Sequence, residues 1–445
     1  MRSVSTTMNL KLSLFVFLLT ASYFASAQEN SPFSRYGVGD PVPGQNIVNR
    51  SMGGVSSTYA GGLSINFSNP ASYSQIGRVT YDIGITLDSR VLKSTSPVLK
   101  YNSINLTPSY VALGLPLSVK HKLGMSFGLR PLTSISYSIA ESRKYSSANN
   151  TSRDSALYLY EGDGGLYQAF VGLGKRWGGL SVGFNTGYMF GRKENATRVL
   201  PFDTVATYKS NSSTNTTFGN VFLNAGLQYE VPLNKAKTSF LRFGLAGNLK
   251  QSMSARQQSS RETFNYDANG VMITIDTVFQ SPEIKGTIKL PASYTAGISL
   301  HNIVNNYEKS MIAIEYENTA WSNYRFYDQP DKLTNSWKFK LGGQFIPNLT
   351  SIKSYWNRVT YRAGVNIGKD AINADGKALP SFGLSLGAGL PVGKWRSFDY
   401  QYTIINAGFE IGKRGNNKNV ITENFFRFSL GFNLSDVWFQ KRRYD

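Results

Sequence analysis

Phe426-Arg427-Phe428-Ser429-Leu430-Gly431-Phe432-Asn433-Leu434 is the stretch of sequence that decides the fold. Large apolar side chains alternate in it with polar or small ones, and a period of two places each set on one face of a β-strand. The same alternation recurs along the chain, for instance from Leu180 to Phe190 and from Val359 to Ile367. We count fourteen such long strands between residues 78 and 437. The chain is therefore predicted to be all-β.

Alternation alone fits a soluble sandwich with a shared core as well as a membrane barrel with one face in lipid. Turns after the even-numbered strands are mostly short, as at 118–121, whereas turns after odd-numbered strands are longer, as at 141–156 and 255–284. All six tryptophans lie near predicted strand ends, where amphipathic rings meet lipid headgroups. We therefore predict a 14-stranded antiparallel transmembrane β-barrel over residues 78–445, with its short turns in the periplasm. Asn269-Gly270 predicts a hairpin turn above the membrane.

The N-terminus has the pattern of a cleaved secretory signal over residues 1–27. Lys11 precedes an apolar run from Leu12 to Phe24, and Ala25-Ser26-Ala27 provides small residues for cleavage. An anchored helix is the alternative, but a spanning helix needs about 20 apolar residues, which this run lacks. The chain contains no cysteine, so disulfides and cysteine–zinc sites are excluded. We expect an exported protein that is integral to the outer membrane of the cell.

The formal net charge of +20 raises the question of an anionic partner. Removal of residues 1–27, which hold Arg2 and Lys11 and no acid, leaves 20 − 2 = +18. The basic residues are scattered singly, whereas nucleic-acid binding favours clusters on one face. We therefore expect contact with anionic outer-membrane lipid and lipopolysaccharide, and not with nucleic acid.

Residues 28–77 do not alternate and are rich in glycine, serine and asparagine. A disordered periplasmic tail would have such a composition. However, the segment also carries large apolar residues, and a barrel of fourteen strands is wide enough to need filling. We predict that residues 28–77 form a plug, or hatch, inside the lumen.

Several short motifs of the chain occur in an order that is found in a known family. Ser51-Met52-Gly53-Gly54 is followed by Ser64-Ile65-Asn66-Phe67-Ser68-Asn69-Pro70-Ala71. This run resembles the hatch of the FadL family of hydrophobic-compound transporters, which ends in Asn-Pro-Ala before the first strand. Further matches follow in the family's order at Leu290-Pro291, Thr319-Ala320-Trp321-Ser322 and Tyr361-Arg362-Ala363-Gly364. The resemblance covers nearly all of the mature chain and implies a 14-stranded barrel with an internal hatch.

Two places in the sequence are candidate parts of a substrate path. Proline fixes its own φ and restricts the residue before it, so Asn69, Pro70 and Ala71 predict a rigid corner; an ordinary turn is the alternative. Pro131 lies within a predicted strand at 122–140, where it cannot donate to the sheet. FadL-like barrels have a side opening at a kink in the third strand, which the resemblance transfers to Pro131. We place its other border on the next strand, at Gly162, Gly164 and Gly165; a bulge above the membrane is the alternative.

An apolar pocket near the hatch is predicted to be lined by Phe33, Tyr36, Met52 and Phe67. Catalysis is not expected, because both histidines, His121 and His301, fall in predicted short turns, away from a serine on the barrel wall. The loop acids show no zinc or calcium-loop spacing, so no metal or other cofactor is predicted.

The leading functional hypothesis is passive uptake of a hydrophobic or amphipathic small molecule through a hatch-gated path. The alternative is a plug or accessory barrel of the type IX protein secretion translocon, as some FadL-like barrels of Bacteroidetes are. The run Ser31-Pro32-Phe33-Ser34-Arg35-Tyr36-Gly37 resembles a motif of Bacteroidetes outer-membrane barrels. A general porin is disfavoured, because a hatch would obstruct its pore.

Overall fold

The computed structural model describes residues 31–146, 153–202, 208–305, 307–373, 376–392 and 402–436. The predicted signal peptide lies outside the described residues, as do Trp395 and Trp438. Among the described residues, no helix is long and apolar enough to cross a membrane. The helices are α1 (Ile47–Arg50) and short 3₁₀ turns at Pro32–Arg35, Pro70–Gln75, Trp321–Asn323 and Trp356–Arg358.

In the described parts of the chain, the remaining regular structure is β-strand. The strands are β1 (Asp40–Pro41), β2 (Val79–Thr95), β3 (Val98–Ser118), β4 (Leu123–Ser146), β5 (Arg153–Trp177), β6 (Leu180–Pro201), β7 (Lys209–Pro232), β8 (Ser239–Asn248), β9 (Gln251–Tyr266), β10 (Met272–Gln280), β11 (Ile284–Leu290), β12 (Ser293–Val304), β13 (Tyr307–Thr319), β14 (Arg325–Phe326), β15 (Ser336–Phe345), β16 (Thr360–Lys369), β17 (Pro380–Val392), β18 (Tyr402–Arg414) and β19 (Ile421–Asp436).

A ring of 14 antiparallel strands forms the barrel wall. It runs through β2 to β8, β12, β13 and β15 to β19, and β19 pairs with β2 from Ile421↔Ser94 to Asp436↔Val79 to close it. The predicted fold class, a 14-stranded antiparallel barrel, is confirmed.

The two faces of the wall have opposite chemistry. On β13, Ile312 and Ile314 are 61% and 54% exposed, whereas their neighbours Ala313 and Glu315 are each 1% exposed. Large apolar side chains cover the outer face of the other strands in the same way. Such a face is suited to lipid, and the polar residues between face the lumen.

The strands are longer than predicted on the long-loop side. The sequence predicts strands at 78–91 and 103–117 with a loop at 92–102 between them. That loop shrinks to the two residues 96 and 97, because β2 and β3 stay paired as far as Thr95↔Val98. Alternation fades where the wall leaves the lipid, so the sequence does not mark these ends. The hairpin predicted at Asn269-Gly270 is confirmed: it joins β9 and β10, and Gly270 has a φ of +78°. On the opposite rim, the connection 346–359 is longer than the turn that the sequence predicts at 347–355.

Residues 31–77, here called the inner segment, contact wall strands on opposite sides of the ring. We distinguish a strap (residues 31–45) from a body (residues 46–77). Helix α1 of the body contacts β17 to β19, while its turn Pro70–Gln75 contacts β4 to β7 on the other side. Ile47, Met52 and Val55 are each 0% exposed. The buried core is therefore shared between the body and the inner face of the wall.

Candidate functional site

Glycines of the wall form the seat of the body. A Cβ atom on Gly342 or Gly364 would overlap the backbone of Met52. Gly53 has a φ of +69°, which favours glycine, and a Cβ atom there would lie 2.9 Å from the backbone nitrogen of Val365. Glycines on most other wall strands also touch the body: Gly84, Gly114, Gly124, Gly174, Gly183, Gly226, Gly244, Gly297, Gly387, Gly408 and Gly431. The body and the wall thus approach closely around the ring.

Asn69 connects the body to the wall by hydrogen bonds. Its side chain accepts from the backbone N–H of Ala71 and caps the turn Pro70–Gln75. The same amide donates to the carbonyls of Ser57, Leu227 and Leu245 at 2.5, 3.3 and 3.4 Å. Asn69 and Ala71 are both 0% exposed. Asn69, Pro70 and Ala71 therefore form a buried corner and do not line the cavities described below.

A buried carboxylate holds the opposite side of the body. Glu315 accepts from the backbone N–H groups of Ser56 and Ser57 at 2.8 and 2.6 Å. Lys340 Nζ lies 2.9 Å from Glu315 and 2.5 Å from Glu317, and it donates to the carbonyl of Gly54 at 3.2 Å. Charged groups are tolerated at such depth only when they are paired and hydrogen-bonded, as these are.

The strap is held by ion pairs near the long-loop side. Asp40 contacts Arg90 at 2.8 Å and Arg414 at 2.9 Å, and Arg414 also contacts Asp370 at 2.9 Å. Burial by itself would raise the pKa of the Asp40 carboxyl. The guanidinium groups of Arg414 and Arg90 outweigh burial and hold that pKa below its usual value. Asp40 is therefore an anion locked between two wall arginines.

The wall has an opening between β3 and β4. Backbone pairing of these strands ends at Val111↔Leu129. Above that point β3 pairs with β2, and β4 pairs with β5, but no pairing joins β3 to β4 among the described residues. Pro108 and Pro131 lie on the two sides of the opening, and proline has no N–H to contribute to a sheet.

The strap covers this opening from within. Asp40 and Pro41 of β1 pair with Ser134 and Thr133 along the free edge of β4. Further along, the N–H of Val42 donates to the carbonyl of Leu132 at 3.0 Å. The edge of β4 is thus occupied by the protein's own N-terminal chain, whereas no such strand lies on the edge of β3 among the described residues.

Two adjoining cavities lie on either side of the strap. The larger, of about 210 Å³, is in the lumen and is bordered by Arg50, Lys338, Lys340, Glu317, Asp370, Glu410, Arg414 and Arg427. The smaller, of about 120 Å³, lies at the opening between Thr107 and Pro108 of β3 and Thr133 of β4. Both cavities are bordered by Val42 and Pro43 of the strap, by Arg50 of the body and by Arg427 of the wall. The strap is therefore one part of the boundary between a charged lumen cavity and the side of the barrel.

The predicted placement of the side opening between Pro131 and Gly162, Gly164 and Gly165 is wrong. Strands β4 and β5 stay paired from Leu123↔Lys175 to Ser146↔Arg153, with one bulge between Pro131 and Thr133. A Cβ atom on Gly165 would lie 2.5 Å from the Thr133 carbonyl, and the other two glycines also lie against neighbouring strands. These glycines let the wall close around the bulge. Pro131 does border an opening, but on its other side, towards β3.

The predicted apolar pocket is not formed by the four residues named for it. Phe33 and Tyr36 do meet, at a cavity of about 360 Å³ near the long loops, with Ile372 and Leu379. Met52 is instead packed among Val48, Val55, Tyr59, Met311 and Ala313. Phe67 lies elsewhere, against the rings of Tyr110 and Phe170 at 5.1 and 5.9 Å. Both Met52 and Phe67 fill the contact between body and wall.

His301 lies in β12 and is fully buried, whereas the sequence predicts a short turn at this position. Its Nε2 is 2.6 Å from the Ser299 hydroxyl, its Nδ1 is 3.2 Å from the Glu308 carboxylate, and Phe240 stacks on its ring at 4.6 Å. A serine nucleophile must be reached by its substrate, and Ser299 is only 2% exposed. The group therefore links β12 to β13. Glu308 extends it to Gln344 on β15 at 2.9 Å.

Sequence reasoning also missed the charged lining of the lumen. Its members recur two residues apart within strands, as Glu315 and Glu317 or Lys338 and Lys340 do. A spacing of two places both charges on one face, and a charge on the lipid face is costly, so this pattern predicts a charged lumen. This spacing of charges is the feature of the sequence that could have identified the charged lumen cavity.

Comparison with known proteins gives one family and one fold. The family model described as BamG matches residues 8–445. A FadL homologue from Pseudomonas aeruginosa is similar in structure, with a TM-score of 0.55 at 12% identity over 90% of this chain and 100% of that one. The toluene transporter TodX of P. putida gives 0.53 at 12% over 89% and 99%, and the CymD monoaromatic hydrocarbon channel 0.50 at 15% over 88% and 98%. No curated protein matches the sequence. At these identities the solved structures show a shared barrel fold.

Proposed function

Since this chain belongs to the BamG family and has the barrel fold of FadL-type and hydrocarbon channels, we propose that it is an outer-membrane channel for passive uptake of amphipathic small molecules. The observation that carries the proposal is the opening between β3 and β4, with a cavity on each side of the strap. A solute would enter from the long-loop side, occupy the charged cavity and leave sideways into lipid.

The chemistry of the cavity favours an amphipathic solute over a hydrocarbon. Its border carries lysine, arginine and carboxylate side chains, among them Lys338, Arg427 and Glu410. A purely apolar molecule would gain little from replacing water there, whereas a charged headgroup can pair with these groups. The apolar part would then lie towards Val42 and Pro43 and the opening.

We further propose that the strap is the gate and that the body is a fixed plug. Wall glycines around the ring touch the body, so its movement would disturb contacts on many strands. The strap touches β4 along a short edge and is otherwise held by side chains such as Asp40 and Arg130, whose guanidinium donates to the carbonyl of Gly44 at 2.6 Å. Displacement of residues 39–44 would remove the strap's part of the boundary between the two cavities, which Arg50 and Arg427 also border. In this proposal, the predicted hatch of residues 28–77 has two parts, a mobile strap and a fixed body.

The alternative role in a type IX secretion translocon gains no support from the relatives, which are described as channels and transporters.

The uptake proposal has a direct test in the strap. Pro41 and Thr133 are register partners, and the chain has no cysteine of its own. Cα atoms of such partners lie within disulfide range.

We expect the double variant Pro41→Cys/Thr133→Cys to lose uptake of a fluorescent fatty-acid analogue when it is oxidised. Reduction should restore uptake, because the wall and body are unchanged. Uptake would be measured in cells that lack the native gene and carry the variant. A matched control, Asn265→Cys/Ile273→Cys, places a disulfide between register partners of the β9–β10 hairpin and should leave uptake unaffected. Equal uptake by the oxidised and reduced strap variants would refute the gate.

A further inference from the structure

A pair of like charges lies on the outer face of the barrel beside the opening. Lys93 of β2 and Lys100 of β3 are direct register partners, and both are exposed. Like charges directly opposite each other on one face of a sheet are destabilising. Among the described residues, no ion pair joins either lysine to an acid. The two ammonium groups thus require an anion from outside the chain, or remain mutually repelling.

The neighbouring strands extend this patch. Lys413 of β18 pairs with Asn424 of β19, which in turn pairs with Val91, two residues from Lys93. Lys413 is also exposed, and it lies roughly 10 Å from β2 across two strand spacings. The side chains between them on the outer face are uncharged. The described outer face therefore presents three cations in adjacent rows, with amide groups between them.

The height of the patch places it at the membrane surface. In the next row towards the lipid are Ile104, Ile411 and Phe426, which are 50%, 49% and 44% exposed. These residues form one row across four strands, because Ile411 pairs with Phe426, Phe426 with Ser89, and Ser89 with Ile104. The apolar band of such a barrel ends at the headgroup level, so the lysines lie among headgroups on the long-loop, outer side. An aqueous macromolecule would not meet an apolar row of this kind directly below its binding site.

We propose that Lys93, Lys100 and Lys413 bind the phosphate groups of an anionic outer-leaflet lipid. Phosphate oxygens would pair with the ammonium groups and relieve the repulsion between Lys93 and Lys100, while the acyl chains pack over Ile104 and Phe426. Since Lys100 lies on β3, the bound lipid sits at the edge of the side opening. This site is separate from the lumen and does not depend on transport.

The test measures lipid binding by the purified, detergent-solubilised barrel. Lipid A and its dephosphorylated form would be titrated into the full chain, and bound lipid counted by native mass spectrometry. The triple variant Lys93→Gln/Lys100→Gln/Lys413→Gln is expected to bind lipid A at least about tenfold more weakly, since each basic residue near an anionic surface adds to the attraction. The corresponding triple arginine variant should retain binding, because it keeps the charge.

A control variant removes the same charge from the opposite rim. Lys120, Lys235 and Lys353 are exposed residues of the short-turn side, and their replacement by glutamine should leave lipid A binding unchanged. Equal loss in both triple variants would show that general basicity binds the lipid and would overturn the site. Equal binding of lipid A and its dephosphorylated form by the native protein would overturn it as well.

Discussion

Replacement of Gly364 with valine is expected to unseat the body from the barrel and to open the lumen to ions. A Cβ atom on Gly364 overlaps the backbone of Met52 and Gly53. The obstacle is backbone on both sides, because Gly53 itself lies against the backbone of Val365 and cannot retreat. Overpacking with a flexible side chain as neighbour costs about 1–3 kcal/mol, and two rigid backbones leave less room for relief.

Ion conductance across a planar bilayer measures this outcome directly. Because the body is proposed to be a fixed plug, the native protein should conduct little, while Gly364→Val should show steady open-channel current. Gly342→Val meets the carbonyl of the same Met52 and should act alike. Gly77→Val is the matched control, because Gly77 is exposed and no heavy atom other than its neighbours lies within 4 Å of its Cβ position.

Folded protein has to be shown for each variant before conductance is interpreted. Protease sensitivity of the inner segment supplies a second measurement on the same samples. The Gly364 variant should be cut within residues 46–77 at protease concentrations that spare the native protein. A variant that folds, resists cleavage and conducts no more than the Gly77 control would contradict the view that the glycines set the seat of the body.

The barrel was predictable because lipid and lumen impose opposite chemistry on successive residues. The final strand shows this period without interruption from Phe426 to Leu434, and it pairs with β2 so that Phe428 and Phe432 lie opposite Leu87 and Ile83. Strand ends above the membrane were missed because water lies on both sides there. The loop predicted at 92–102 is paired strand for this reason.

The side opening was found on the correct strand but on the wrong side of it. A proline shows that a strand lacks one backbone N–H at that position. It does not show which of the two neighbouring strands is left without a hydrogen bond. The sequence therefore located Pro131, while the partner at the opening, Pro108 on β3, was overlooked. Gly162, Gly164 and Gly165 indicate a gap because they lack side chains, yet in β5 that lack permits closer pairing.

The inner segment was harder to interpret, since its apolar residues do not share a face. Met52 and Phe67 serve contacts with different parts of the wall. These parts of the wall come together only when the ring closes. Ring closure depends on pairing between strands that are far apart in sequence, so a local pattern does not reveal it. The charged residues of the lumen depended on the same closure: Asp40 meets Arg90 and Arg414 although they are far apart in sequence.

Replacement of Lys340 with methionine is expected to cost about 3–5 kcal/mol of unfolding free energy, as removal of one partner from a buried ion pair does. Lys340 is 4% exposed and pairs with both Glu315 and Glu317. Methionine preserves much of the side-chain volume but leaves Glu315, at 1% exposure, with only the N–H groups of Ser56 and Ser57 as strong donors. The loss of the bond to Gly54 weakens the body on the same side.

Denaturant unfolding in detergent measures this cost, and a double variant separates its causes. Glu315→Gln/Lys340→Met removes one of the stranded charges, so it should be more stable than Lys340→Met alone. Lys338→Met is the control: Lys338 borders the same lumen cavity, is the register partner of Glu317 and acts on that carboxylate electrostatically, but it forms no ion pair at contact distance among the described residues. The comparison therefore isolates the direct pairing of Lys340. If Lys340→Met unfolds at the same denaturant concentration as Lys338→Met, the pair does not hold the body. If Lys340→Met is less stable yet remains non-conducting, the wall glycines suffice to keep the body seated, and the ion pairs contribute stability without controlling the lumen.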